Sequence, residues 1–201
     1  PDLISSYPRV SPLYGAISRH LGLPEDHILV TAGSDAAIKN VFEVFVSPGD
    51  GVIIPDPTYA MYQVYGDLFQ AELTRIPFSP DLALDMGRIS DAMNPGTRLI
   101  ALANPNSPTG TVVPRRDLED LVRHAGELGI LVLIDEAYHP YYPETAVDWT
   151  GSCPNLVVTR TFSKAFGLAS LAYSYKLKDL PLIGNIYIAI TMAIPFIFGN
   201  L

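Results

Sequence analysis

Short runs of Val, Ile and Leu recur along this chain between stretches with helical spacing, and most of them run directly into polar residues. ILVTA (28–32), GVIIP (51–55), AELTRIPF (71–78), LIALANP (99–105), ILVLIDEA (130–137) and NLVVTRTF (155–162) read as strands. AAIKNVFEVF (36–45), TYAMYQVYGDLF (58–69) and RRDLEDLVRHAGELG (115–129) read as helices, the last ended by Gly129. Apolar strands alternating with helices form a mostly parallel sheet covered on both faces. The pattern therefore predicts an α/β fold in three layers, α/β/α. Such sheets bind ligands outside the carboxyl ends of their strands. The polar residues that follow these strands are expected to converge there.

The chain has 201 residues, enough for one sizeable domain, or one domain and part of another. Hydrophobic residues make up 48% and charged residues 17%, which allows a packed core. The net charge of −8 repels phosphate backbones and argues against nucleic acid as a partner. It does not exclude a phosphorylated small molecule, because backbone N–H groups bind phosphate whatever the total charge. Cys153 is the single cysteine, so no internal disulfide forms. No Cys/His cluster has metal-ligand spacing, and no metal is expected. A reducing, cytoplasmic setting fits. Pro1-Asp2-Leu3 is neither a signal peptide nor a start at Met, so a longer natural N-terminus is expected. No charged residue occurs from Leu180 to Leu201, and IYIAITMAIPFIFG (186–199) is strongly apolar. By length this run qualifies as a membrane span. Pro181, Asn185, Pro195 and Asn200 interrupt it and favour a buried helix and strand of a larger domain that continues past Leu201.

Five motifs follow the predicted strands. In TRTFSKAFGL (159–168), Lys164 sits among the hydroxyls of Thr161 and Ser163. A lysine in a sheltered cleft can act as an amine nucleophile, and the hydroxyls could hold a phosphate, although most lysines are solvated surface charges. In ILVLIDEAYHPY (130–141), Asp135 follows five apolar residues. A carboxylate there needs a cation, a metal or a helix to cap. In ANPNSPTG (103–110), two prolines and a glycine set a rigid turn, with Asn104 and Asn106 at the strand's exit. In TAGSDAAI (31–38), Ser34 and Asp35 open a helix whose free N–H groups could bind an anion, or they simply cap it. In PDPTYAMY (55–62), Tyr59 begins a helix where its ring could stack on a flat ligand or pack in the core.

In this order, GSD, PDPTYAMY, NPNSPTG, DEAYHPY and TFSKAFGLASL resemble the signature series of fold-type I pyridoxal-phosphate (PLP) enzymes. The class I/II aminotransferases close to histidinol-phosphate aminotransferase are the most similar group, over roughly residues 5–175. The resemblance implies that residues 1–201 are an incomplete PLP-binding large domain, without the N-terminal arm and the small C-terminal domain. It implies a cytoplasmic enzyme of amino-acid biosynthesis that exchanges an amino group between an amino acid, histidinol phosphate or an aromatic one, and a 2-oxo acid. Lys164 would form the Schiff base with PLP and shuttle the substrate's α proton. Asp135 would pair with the pyridine nitrogen, which makes the ring an electron sink. Tyr138 would bond the ring oxygen, and Tyr59 would stack on the ring. Backbone groups of Ser34 and Asp35, with Thr161 and Ser163, would hold the phosphate. Tyr7 would reach the phosphate of the partner subunit in a homodimer.

The sequence departs from the family pattern at several positions. Ala172 stands where an arginine usually clamps the phosphate, and Ser170 and Ser174 replace glycines. Each lost charge-assisted hydrogen bond is worth on the order of 1.5–3 kcal/mol. Weaker PLP binding is expected unless Arg160 or another base substitutes. Ser107 replaces the asparagine before PTG, so the ring-oxygen contact falls to Ser107, Asn106 or Tyr138. Two alternatives accompany the aminotransferase reading. One is a PLP-dependent decarboxylase of a phosphorylated amino acid, and the other is a degenerate, non-catalytic homologue.

Overall fold

The computed structural model describes residues 10–164. Tyr7, Ala172 and the apolar run 180–201 lie outside the described residues. Helix α1 (Ser11–Leu21) and a 3-10 turn (Glu25–His27) lead to α2 (Ser34–Phe45). Then come β1 (Gly51–Asp56), α3 (Ala60–Leu68), β2 (Glu72–Pro77), α4 (Met86–Ala92) and β3 (Thr97–Ala103). Helix α5 (Arg115–Glu127), β4 (Leu131–Asp135), a 3-10 turn (Val147–Trp149) and β5 (Leu156–Thr159) complete the series.

The five strands form one parallel sheet in the order β2-β1-β3-β4-β5. Side chains alternate between the faces of a strand, and both faces are buried. On one face Val52, Ile54, Leu99, Ala101, Ala103 and Leu133 pack with Ile38, Val41 and Phe42 of α2 and with Tyr62 and Tyr65 of α3. On the other, Ile53, Ile100, Leu102, Val132 and Ile134 pack with Ile89 of α4 and with Leu118, Leu121, Val122 and Ala125 of α5. The expected three-layer α/β/α arrangement is therefore present. The buried positions of α5 follow the three-and-four spacing of one helical face. Among the described residues no helix is long and apolar enough to cross a membrane.

One predicted strand is absent. Residues 28–32 join no ladder. Ile28 has extended dihedrals, but the Val30 N–H donates to the Tyr14 hydroxyl at 3.1 Å. A groove lined by Ile28, Leu29, Val157 and Val158 lies between this segment and β5. No strand pairs with this apolar, β-branched run, so pattern alone mistook it for a strand.

Because the strands are parallel, their carboxyl ends share one edge. Asp135 closes β4 and pairs in register with Ala103 of β3 and Thr159 of β5. By alternation Asp135 belongs to the face covered by α2 and α3, and Glu136 to the opposite face.

Candidate active site

A cleft of about 270 Å³ opens at that edge. This is close to the lower end of the range for small-molecule sites, about 300–1,000 Å³. Gly33, Ser34, Asp35, Tyr59, Ser107 and Asp135 line it, together with Tyr138, Thr161, Ser163 and Lys164. These residues come from separate connections, and they meet because each connection follows a strand or opens a helix at the same edge.

Asp135 forms part of the cleft wall and is only 5% exposed. Its Oδ1 accepts hydrogen bonds from the Thr159 hydroxyl at 2.8 Å and the Ala137 N–H at 3.1 Å. Among the described residues Oδ2 accepts none. Burial raises its pKa from 3.8 to about 6, with the Glu136 charge adding to the rise and the hydrogen bonds opposing it. An ionised carboxylate held at this cost favours a cation beside it. Tyr59 precedes α3, and its hydroxyl donates to Asp35 at 3.2 Å. Burial, followed by the Asp35 charge, pushes its pKa up to about 12, so the phenol stays protonated.

Helix α2 starts after Gly33, whose φ of 108° is one that glycine tolerates and other residues rarely adopt. No side chain caps this helix, so the N–H groups of its first turn are left at the cleft. Thr161 is buried and accepts the Ser163 N–H at 3.1 Å, and the two hydroxyls are in short contact. Lys164 is exposed, and its Nζ lies 5.5 Å from the centre of the Tyr138 ring. A cleft with a buried anion at one point, an amine at another, and hydroxyls and free N–H groups at a third can hold a flat, cationic, phosphorylated molecule.

Asn106 and Arg160 are not brought into this cleft. The Asn106 side chain is 4% exposed and fully used elsewhere. It accepts from Thr58 at 2.6 Å and donates to the Pro57 carbonyl at 3.0 Å and to Thr109 at 2.9 Å. It locks the 104–110 turn to the β1–α3 connection, and Ser107 lines the cleft in its place. Arg160 is engaged away from the cleft. Its Nε donates to Glu136 at 2.9 Å and its Nη2 to Thr145 at 2.6 Å, on the opposite side of the strand end. Glu136 also accepts the Ala146 N–H at 2.6 Å, so this buried pair ties the 137–150 loop to the sheet.

Two participants escaped sequence reading. Thr159 reaches Asp135 through strand register, which periodicity does not reveal. Tyr62 lies beside Asp135, and its three-residue spacing from Tyr59 was the available signal.

Residues 10–179 match the family model described as aminotransferase class I and II. The chain is 38% identical to histidinol-phosphate aminotransferase of Dehalococcoides mccartyi over 80% of its own length and 44% of that protein's. It is 36% identical to aromatic amino acid aminotransferase of Corynebacterium diphtheriae, over 83% of this chain and 49% of that one. It is also similar to the crystal structure of histidinol-phosphate aminotransferase from Sinorhizobium meliloti in complex with pyridoxal 5'-phosphate. The TM-score is 0.71 and the identity 27%, over 79% of this chain and 44% of that one. The chain spans about half the length of the relatives it matches.

Proposed function

This chain belongs to the class I and II aminotransferase family, and from that premise we propose that it is the large, cofactor-holding part of a PLP-dependent aminotransferase. The reaction is exchange of an amino group between an amino acid and a 2-oxo acid. Histidinol phosphate or an aromatic amino acid is the amino donor in this reading, in keeping with the names of the relatives. The observation that carries it is Asp135, a carboxylate kept in a buried position in the same cleft as the Lys164 amine.

When bound, the cofactor supplies an aldehyde that accepts an amino group and a ring that withdraws electrons. The residues do the rest. Asp135 would hold a proton at the ring nitrogen. Tyr59 would cover a ring face, its protonated hydroxyl staying with Asp35. Ser107 and Tyr138 would donate toward the ring oxygen. First-turn N–H groups at Ser34 and Asp35, with the hydroxyls of Thr161 and Ser163, would hold the phosphate. Lys164 would hold the cofactor through its amine and move the proton at the substrate's α carbon. The reading includes a cytoplasmic homodimer in which Tyr7 reaches the partner's site.

The test is reconstitution with PLP, borohydride reduction and peptide mass mapping. The label is expected on Lys164 and is lost in Lys164→Ala. Label on another lysine would sink the Lys164 assignment, and no cofactor uptake would sink the whole reading. Assaying amino transfer beside CO₂ release separates transamination from decarboxylation.

A further inference from the structure

Tyr62 is the one side chain among the described residues with a fully buried polar atom and no hydrogen-bond partner. It lies on α3, 0% exposed, within the apolar cluster beneath α2 and α3. Its ring meets that of Tyr59 edge to face, 5.7 Å between centres at 87°. Native structures keep few such orphans, and each needs a reason. A phenylalanine would fill the same space without burying a hydroxyl.

The reason lies at the end of β4. Burial and then the Asp135 charge push the Tyr62 pKa well above its ordinary value, while the Tyr62 hydroxyl pulls Asp135 down. Tyr62 packs in one cluster with Ala103 and Leu133, and Ala103 is the register partner of Asp135, so the two groups are close, although the hydroxyl has not closed into a hydrogen bond. Asp135 has acceptor capacity to spare, since both of its described bonds fall on Oδ1. A donor without an acceptor thus stands beside an acceptor without a full set of donors. The other titratable groups around Asp135 are Glu136 at the same strand end, and Tyr59, Asp35, Tyr138 and Lys164 in the cleft lining. Glu136 is neutralised by Arg160.

We propose that Tyr62 is a positioning residue: its hydroxyl closes on Asp135 when a cationic ring enters the cleft, and with Thr159 and Ala137 it keeps the carboxylate ionised and aimed at the ring nitrogen. This rests on the PLP reading above. Tyr62 does not touch the ligand and acts only through Asp135.

The experiment compares the parent protein with Tyr62→Phe, titrating PLP between pH 5 and pH 8 and recording the thermal melt without cofactor. Tyr62→Phe is expected to melt at or above the parent temperature. It should bind PLP about tenfold more weakly at pH 7, which is about 1.4 kcal/mol. The pH at which its affinity falls away should lie above the parent's, because Asp135 has lost a donor to its ionised form. The carbocyclic analogue of PLP, with CH in place of the ring nitrogen, should bind parent and variant alike. Parent-like PLP affinity and pH midpoint in the variant would overturn the proposal and leave the cofactor reading standing. So would a lower melting temperature, which would make the hydroxyl a structural element. Failure of the parent itself to bind PLP would overturn both.

Discussion

Replacing Asp135 with asparagine should make the cofactor-free fold more stable and, in the proposed reading, weaken its hold on PLP. The folded pKa of about 6 exceeds the ordinary 3.8 because burial disfavours the charge. A carboxyl group whose folded pKa is raised contributes stability that is full below the unfolded value and is lost as pH rises through the folded one. At 1.36 kcal/mol for each pH unit, ionised Asp135 costs the cofactor-free chain about 3 kcal/mol at pH 7. The substituted amide would carry no such charge, and its carbonyl could still accept from Thr159 and Ala137. Urea unfolding without PLP should find Asp135→Asn about 2–3 kcal/mol more stable at pH 7 and within about 0.5 kcal/mol of the parent at pH 4. PLP affinity should fall sharply over the same range in which stability rises. Equal or lower stability of the variant at pH 7, or a difference that does not change between pH 4 and pH 7, would refute the reasoning.

Arg160→Ala removes one half of a buried pair and leaves Glu136, with a 3% exposed side chain, uncompensated. A loss of about 3–5 kcal/mol in denaturant unfolding is expected, with cofactor binding impaired only through the fold. Gly33→Ala forces a side chain into a φ of 108° and should cost on the order of 1–3 kcal/mol. Because the strain falls on the first turn of α2, it should weaken binding of PLP more than binding of pyridoxal, measured by parallel titrations.

The layered fold was legible because its strands are nearly continuous apolar runs. GVIIP, LIALANP and ILVLIDEA each become a strand buried on both faces. The order β2-β1-β3-β4-β5 was not legible, since periodicity says nothing about which strands pair. ILVTA failed for the same reason: its composition suits a strand, but the Val30 N–H goes to Tyr14. The cleft was largely legible, because strand-end residues of a parallel sheet must meet at one edge. Asn106 shows where that reasoning stops. Its amide is drawn away by Thr58 and Pro57, 48 and 49 residues earlier, and only the folded chain brings those partners near.

Asp135 and Glu136 show how one strand end divides a charge the protein satisfies from one it leaves without a counter-ion. They are adjacent carboxylates, both nearly inaccessible to solvent. Alternation sends them to opposite faces of the sheet. Glu136 meets Arg160, Thr145 and the Ala146 N–H and is satisfied by the protein itself. Asp135 meets hydrogen-bond donors but no cation among the described residues. The energy that the fold withholds from Asp135 is available to whatever cation enters the cleft, so binding there recovers what folding left unspent. The same comparison shows what holds Arg160 in place: withdrawing it would strand Glu136, at about 3–5 kcal/mol. In the proposed reading, with Ala172 in the sequence in place of a clamp arginine, the phosphate would fall to the first turn of α2 and to Thr161 and Ser163, and the cation site at Asp135 would carry correspondingly more of the binding energy.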